Sequence, residues 1–273
     1  MLIENLPLVI LALIWIVIAV IQDFRKREVD NWWNFSLIAV VLAYRAFLSV
    51  YAWDALYFLY GLAGFGIFFL LAHVFYYGRI FAGGDAKLLM GLGAVLPFSF
   101  SIIQNLMIFF YYIFLLLFAG GVYGIFFSLF LVFRNKKAFA QEFSKQFSKN
   151  NKIINSSVII AVVSAVILLM LNQNLLIVLP ILLLIFPILY IYAKAIEESC
   201  MIKSVNIKEL TLGDWLYEEV SVGRKKIKPN WEGLNEKQLI LLKKLKKKVK
   251  IKQGIPFTPG FLIAFLILLW LIF

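Results

Sequence analysis

The chain has 273 residues, of which 63% are apolar and only 15% are charged. Ordinary soluble domains are about 45–50% apolar and about 25% charged, so a mean hydropathy of +0.91 excludes a soluble globular enzyme and a disordered chain. The net charge of +12 does not predict a nucleic-acid partner, because the basic residues concentrate in alternate loops between apolar segments.

Eight apolar segments have the length and composition of membrane-spanning helices. In chain order they cover residues 6–22, 34–51, 55–77, 86–103, 105–133, 153–171, 175–193 and 255–273. The sequence therefore predicts an all-α polytopic membrane protein with about eight transmembrane helices. The expected divisions are a transmembrane helical domain over 1–193, a basic cytoplasmic domain over 194–254 and a C-terminal transmembrane helix over 255–273.

Positive charge falls in every second loop of this arrangement. Lysines and arginines follow the first, third and fifth segments, and residues 194–252 hold fifteen of them. The intervening loops, at 52–54, around Gln104 and at 172–174, hold none. Because cytoplasmic loops carry the basic excess, we expect a multi-pass protein of the plasma membrane with both termini outside. The basic loops are expected to contact anionic lipid head groups.

The longest polar segment, residues 194–252, carries patterns of regular structure. Residues 220–227 predict a short β-hairpin. Asn235 and Gln238 have the spacing of a capping box, and the leucines that follow predict a helix through about Val249. A small α+β element is therefore expected before the last membrane segment.

Metal chemistry has few possible ligands in this sequence. Cys200 and His73 are the only cysteine and the only histidine. A zinc site needs several thiolate or imidazole ligands in close spacing, and a serine-histidine triad needs a partnered histidine. We therefore expect no metal site and no cofactor.

Two aspartates lie at the expected cytoplasmic boundary of the membrane. Asp23 ends the first apolar segment, and Asp85 begins the fourth. Ionisable residues at membrane depth are costly and are functional candidates for that reason. Two close carboxylates share one proton, so the ionised member can activate water while the protonated member polarises a carbonyl. The alternative is structural: Asp85 caps a helix, and Asp23 pairs with the neighbouring arginines.

Two glycines, Gly83 and Gly84, directly precede Asp85. Glycine lets another backbone approach closely, because it has no side chain. We expect these two positions to give an extended substrate strand room beside the carboxylate.

Three short segments carry a family resemblance: 22–29 (QDFRKREV), 83–89 (GGDAKLL) and 254–259 (GIPFTP). Together they resemble the archaeal preflagellin and prepilin peptidases, which are GxGD-type aspartic membrane proteases. The first glycine of the GxGD motif is Ala82 in this chain. Bacterial relatives carry paired-cysteine motifs and an added N-methylation activity, which is not expected with Cys200 alone.

The resemblance implies that Asp23 and Asp85 are the catalytic pair of an aspartic endopeptidase. It implies a type IV pilin-like precursor as substrate, either a prepilin or a pre-archaellin. The leader of such a precursor is short and basic, and it would be removed at the cytoplasmic boundary of the membrane. Glu28 and Asp30 lie in the same loop as Asp23, and we expect them to attract the basic residues of the leader.

Other functions remain open at this point. A presenilin-type or signal-peptide-peptidase-type intramembrane protease also uses GxGD, but it carries a Pro-Ala-Leu motif that is absent here and places its aspartates deeper than Asp23. A transporter needs polar residues along its path, and the span centres hold little besides His73 and Arg45. Arg45 is expected to extend outward toward Asp54. A non-catalytic pilus-assembly factor is the last alternative, given Ala82.

Overall fold

A computed structural model describes residues 2–222, 225–243 and 248–272. These residues form ten α-helices and five short β-strands. The helices are α1 (Leu2–Lys26), α2 (Asn31–Ala52), α3 (Leu56–Tyr77), α4 (Gly83–Val95), α5 (Ile102–Arg134), α6 (Lys136–Lys149), α7 (Asn151–Met170), α8 (Val178–Cys200), α9 (Glu236–Leu242) and α10 (Thr258–Ile272). The strands are β1 (Ile202–Asn206), β2 (Trp215–Leu216), β3 (Val220–Val222), β4 (Lys225–Ile227) and β5 (Lys248–Lys252).

The predicted all-α polytopic membrane architecture is confirmed. Among the described residues, six helices are long and apolar enough to cross a membrane, namely α1, α2, α3, α5, α7 and α8. The other two predicted spans are shorter helices, with 13 residues in α4 and 15 in α10. The fourth helix runs from Gly83 to Val95, whereas the prediction was 86–103. Pro97 follows its end, and proline does not continue a helix because it lacks a backbone N–H.

The chain divides into two compact units. The first unit contains the residues up to Phe126 together with those from Ile255 onward, and the second contains residues 127 to 254. The first unit therefore consists of α1 to α4, most of α5, and α10.

Helix α4 lies at the core of the first unit, where it packs against α1, α2 and α3. Leu88, Leu89 and Leu92 are completely buried. Close backbone approach makes this burial possible: a Cβ atom on Gly64 of α3 would overlap the Gly93 carbonyl of α4. Small residues at such crossings let membrane helices pack tightly.

The C-terminal end of α4 is capped by a buried arginine from α2. Arg45 Nε donates to the Ala94 carbonyl at 2.8 Å, and Nη2 donates to the carbonyls of Val95 and Pro97 at 2.9 and 2.8 Å. Arg45 is only 3% exposed, and Gly61 leaves the space that its side chain occupies. The expected outward extension toward Asp54 is therefore wrong. The last carbonyls of a helix lack intrahelical donors, and the negative end of the helix dipole attracts a cation.

Helix α10 begins beside α1 and crosses α5 closely. A Cβ atom on Gly260 would lie 2.9 Å from the Gly120 Cα atom. The rings of Phe257 and Phe261 pack on the ring of Phe81, and their centroids lie 5.2 and 5.7 Å from the Phe81 centroid. These contacts fix the start of α10 within the first unit.

In the second unit, α8 packs against α6 and α7. The rings of Phe139 on α6 and Tyr192 on α8 meet edge-on with centroids 5.7 Å apart. The Tyr192 hydroxyl shares a hydrogen bond with Ser128 near the end of α5. Aromatic and hydroxyl contacts thus hold these helices together.

The expected α+β element is present between α8 and α10. Strand β5 is central and pairs antiparallel with β1 and β2, while β3 and β4 form the predicted hairpin. The hairpin turn at 223–224 lies outside the described residues. The Asn235–Gln238 capping box is confirmed at the start of α9.

The helix predicted through Val249 is wrong beyond Leu242, where α9 ends. Residues 244–247, including Leu245 of the predicted helical face, lie outside the described residues. Val249 and Ile251 point into the core from β5, whereas Lys248 and Lys250 are exposed. This alternation has the period of two that characterises a strand.

Replacing Arg45 with methionine is expected to destabilise the first unit by about 3 kcal/mol or more. Each buried carbonyl left without a donor costs about 1–3 kcal/mol. Arg45 donates hydrogen bonds to three carbonyls at the C-terminal end of α4. Thermal unfolding in detergent measures the change. Arg134→Met is the matched control, because Arg134 is exposed in the last turn of α5. Equal unfolding temperatures for the two variants would contradict this role of Arg45.

Candidate active site

Asp23 lies at the start of the last turn of α1 and is 7% exposed. Its Oδ2 atom accepts two hydrogen bonds from Thr258, one from the backbone N–H at 3.1 Å and one from Oγ1 at 2.9 Å. Thr258 is completely buried and is the first residue of α10. The first N–H groups of a helix have no intrahelical acceptor and favour a negative charge. The start of α10 therefore provides hydrogen-bond donors that stabilise this carboxylate.

Asp85 lies in the first turn of α4 and is 8% exposed. Ala82 precedes the helix as its N-cap residue, and the Ala82 N–H donates to the Asp85 carboxylate. This contact is the reciprocal half of a capping box, in which the third helical residue returns to the cap backbone. Both aspartates thus accept donors that the starts of helices provide.

The structure brings the two predicted catalytic aspartates together. They come from α1 and α4, which pack against each other, and their carboxylates lie near enough to interact electrostatically. Water reaches neither side chain freely. Two like charges in such surroundings cannot both be stable, so the pair is suited to share one proton.

Gly84 packs against the loop between α1 and α2. A Cβ atom there would lie 3.3 Å from the Val29 backbone nitrogen, and the Gly84 carbonyl accepts a hydrogen bond from Asn34 Nδ2 at 3.2 Å. A Cβ atom on Gly83 would meet Tyr76 at an ordinary 3.7 Å. The predicted role of both glycines in substrate approach stays a prediction.

Ala82 replaces the first glycine of the GxGD motif without backbone strain. Its φ and ψ angles are −71° and 163°. This is an extended conformation that residues with a side chain readily adopt. The side chain is exposed. A glycine is therefore not required at this position for the start of α4.

Several further polar residues lie around the pair. Arg27 is one of the neighbouring arginines that the structural alternative paired with Asp23, whereas Tyr123 was not predicted. Arg27 and Tyr123 both interact electrostatically with Asp23. Lys87 Nζ, two residues beyond Asp85 on α4, donates to Asn31 Oδ1 at 2.5 Å. For Tyr123, the signal in the sequence was a polar residue within an apolar helix.

The two predicted leader-binding residues lie in the loop after α1. Glu28 is exposed, and the Asp30 side chain is 36% exposed. Asp30 pairs with Lys26 at 3.4 Å, and its N–H donates to Gln22 Oε1 at 2.9 Å. Val29, between the two acidic residues, is the residue that contacts Gly84. Both acidic side chains are thus on the loop that adjoins the start of α4.

Metal ligands do not gather at this site. Over residues 2–222, 225–243 and 248–272, no three side chains of histidine, cysteine, aspartate or glutamate are grouped in a way that could hold an ion. Asp214, which also follows a glycine, accepts the Thr211 N–H at 2.7 Å in a turn of the second unit. Burial raises the pKa of Asp214.

This polytopic membrane protein thus places a buried pair of interacting carboxylates at the ends of two helices, an arrangement suited to acid–base chemistry. Residues 10–129, which include both aspartates, match the type IV leader peptidase family. This match confirms, over this segment, the resemblance seen in the sequence.

The chain is also similar to three archaeal proteins named preflagellin peptidase. Identity is 35% over 88 residues with that of Methanocaldococcus jannaschii, 35% over 89 residues with that of Methanococcus maripaludis and 29% over 97 residues with that of Methanococcus voltae. These alignments cover 32%, 32% and 35% of this chain and only 37%, 38% and 41% of the relatives. No solved structure matches the chain.

The two glycine positions of the GxGD motif, Ala82 and Gly84, are expected to differ in their tolerance of substitution. Gly84→Val should destabilise the protein by about 1–3 kcal/mol, because the new side chain overlaps the Val29 backbone. Ala82→Gly should change stability by less than about 1 kcal/mol, since Ala82 already has an unstrained backbone. Thermal unfolding of the two variants in detergent measures both effects. Similar losses at the two positions would contradict the packing described here.

Proposed function

We propose that this chain is a membrane aspartic endopeptidase that removes the leader peptide from a type IV pilin-like precursor, such as pre-archaellin. The observation that carries the proposal is the pair of buried, interacting aspartates on α1 and α4. Its position within the segment that matches a leader peptidase family supports the same activity. The names of the three archaeal relatives support the choice of precursor.

The pair can hydrolyse a peptide bond without another reactive group. The ionised Asp23 takes a proton from water as the water oxygen adds to the carbonyl carbon, and Asp85 gives its proton to the carbonyl oxygen. The resulting tetrahedral diol then collapses: Asp23 returns its proton to the amide nitrogen, the C–N bond breaks, and a diol hydroxyl returns a proton to Asp85. The products are a carboxylic acid and an amine, and both aspartates recover their starting states.

The proposed orientation places the pair at the cytoplasmic face of the plasma membrane, with both termini outside. The alternation of basic and non-basic loops supports this orientation, and Arg25, Lys26 and Arg27 directly follow Asp23. A precursor with a basic cytoplasmic leader and an apolar membrane helix has its junction at the same boundary. Cleavage at that junction requires no deep entry of the substrate into the bilayer.

Asp23→Asn and Asp85→Asn are each expected to lower precursor cleavage by a factor of about 100 or more, because each removes one half of the acid–base pair. The measurement is shortening of a candidate pre-archaellin or prepilin by membranes that contain each variant. In sealed inverted vesicles, whose outer face is the cytoplasmic side, precursor added outside should be cleaved.

Asp214→Asn is the matched control for these variants. Asp214 also follows a glycine, but it lies in a turn of the second unit. Wild-type protein and the Asp214 variant should therefore cleave alike. If the Asp23 and Asp85 variants insert normally and cleave as fast as wild type, the aspartates are structural and the proposal is wrong.

Charge reversal of both Glu28 and Asp30 to lysine is expected to raise the KM for a basic leader by about two- to fivefold. Exposed charge pairs contribute modestly, about 0.2–1 kcal/mol each, and like charges repel the leader. A precursor whose leader lysines are replaced by glutamine should be much less affected. Equal losses for the two precursors would rule out leader recognition by these residues.

A further inference from the structure

The donors that hold the Asp23 carboxylate lie far away in the chain. Thr258 provides both its N–H and its hydroxyl to Oδ2, across 235 sequence positions. Thr258 is also outside residues 10–129, the segment that matches the peptidase family. The end of the chain therefore contributes directly to the surroundings of a proposed catalytic residue.

Thr258 is held rigidly in this place. Gly260, two residues further, makes the close crossing with Gly120 of α5. Phe257, one residue before, packs its ring on Phe81. Helix α10 also packs along α1, which carries Asp23. The hydroxyl is thus positioned by packing on both sides and does not need to be ordered when substrate arrives.

The two aspartates differ in their donors, not in their exposure. Their exposed fractions, 7% and 8%, are nearly equal, although Asp85 is the more deeply enclosed of the two. Asp23 accepts a hydroxyl and a helix N–H from Thr258, with the Phe257 N–H as a further backbone donor, whereas the Ala82 N–H is the backbone donor to Asp85. The charged or titratable groups that face Asp23 are Arg27 of its own helix, Asp85 of α4 and Tyr123 of α5. Hydrogen bonds to an ionised carboxylate stabilise that form.

We propose that Thr258 is a positioning residue that keeps Asp23 as the ionised, water-activating member of the pair. Asp85 is then the member that carries the shared proton. The two donated bonds occupy Oδ2, so Oδ1 is the oxygen that takes the proton from water. This inference rests on the proposed peptidase function and adds a residue from the C-terminal helix to its site.

Thr258→Val tests the proposal because it keeps the shape of the side chain and the backbone N–H but removes the hydroxyl. We expect kcat to fall about tenfold or more while KM changes less than about twofold. Cleavage should also be lost at a higher pH on the acidic side, by about one pH unit, because a carboxylate with fewer donors takes up a proton more readily. Thr258→Ser keeps the hydroxyl and should restore both values.

Thr211→Val is the matched control. Thr211 donates its N–H and hydroxyl to Asp214 in the second unit, so this variant removes the same kind of bond away from the pair. It should leave the rate and its pH dependence unchanged. A Thr258→Val enzyme with an unshifted acidic limb, or a rate loss that serine does not restore, would overturn the proposal.

An infrared titration keeps this test separate from the peptidase assay. The carboxylic-acid band that disappears in Asp23→Asn belongs to Asp23, and it should appear at higher pH in Thr258→Val than in wild type. If wild type cleaves no precursor but the band shifts, the peptidase proposal fails and the role of Thr258 stands. If wild type cleaves and neither the band nor the acidic limb shifts, only the inference about Thr258 fails.

Discussion

The first unit depends on supplying hydrogen-bond donors to carboxylates that water does not reach freely. An ionised carboxylate buried without donors is too costly for a stable fold, and an apolar helix bundle has few polar side chains to offer. The starts of helices provide a solution, because their first N–H groups lack intrahelical acceptors. Thr258 serves Asp23 in this way, and the Ala82 N–H serves Asp85. Helices α4 and α10 must therefore begin at the level of the two carboxylates.

This requirement also explains the other end of α4. A helix of 13 residues is about 20 Å long, which is short of the hydrophobic thickness of a bilayer, about 30 Å. The carbonyls of its last turn then need donors within the protein, and Arg45 supplies them. An aspartate in the first turn and a guanidinium after the last complement the helix dipole at both ends. Gly64 and Gly93 bring α3 close enough to bury the helix between these two charges.

The sequence was sufficient to locate the long apolar helices and to place Asp23 and Asp85 at helix ends, because both leave local signals: apolar runs, and rare charges at their ends. Contacts between distant residues left no such signal. Arg45 was expected to reach Asp54 nearby in the chain, yet three of its four acceptors are carbonyls 49 to 52 positions away. Thr258 lies in a segment that the family resemblance marked, but only the fold pairs it with Asp23. In the second unit, spaced leucines suggested a helix through Val249, although the alternating lysines and apolar residues of β5 already had the period of a strand.

The distribution of the site along the chain is consistent with where its similarity to other proteins lies. Residues 10–129 hold both aspartates and the glycines that bury α4, and each of these positions demands one residue type or a very small one. The C-terminal helix α10 is subject to fewer constraints on residue type. Asp23 needs from it an N–H, which every residue except proline provides, and a hydroxyl, which serine or threonine provides. Small residues where α5 and α10 cross complete the requirement. So few constraints leave most positions of α10 open to substitution while the donors to Asp23 keep their geometry.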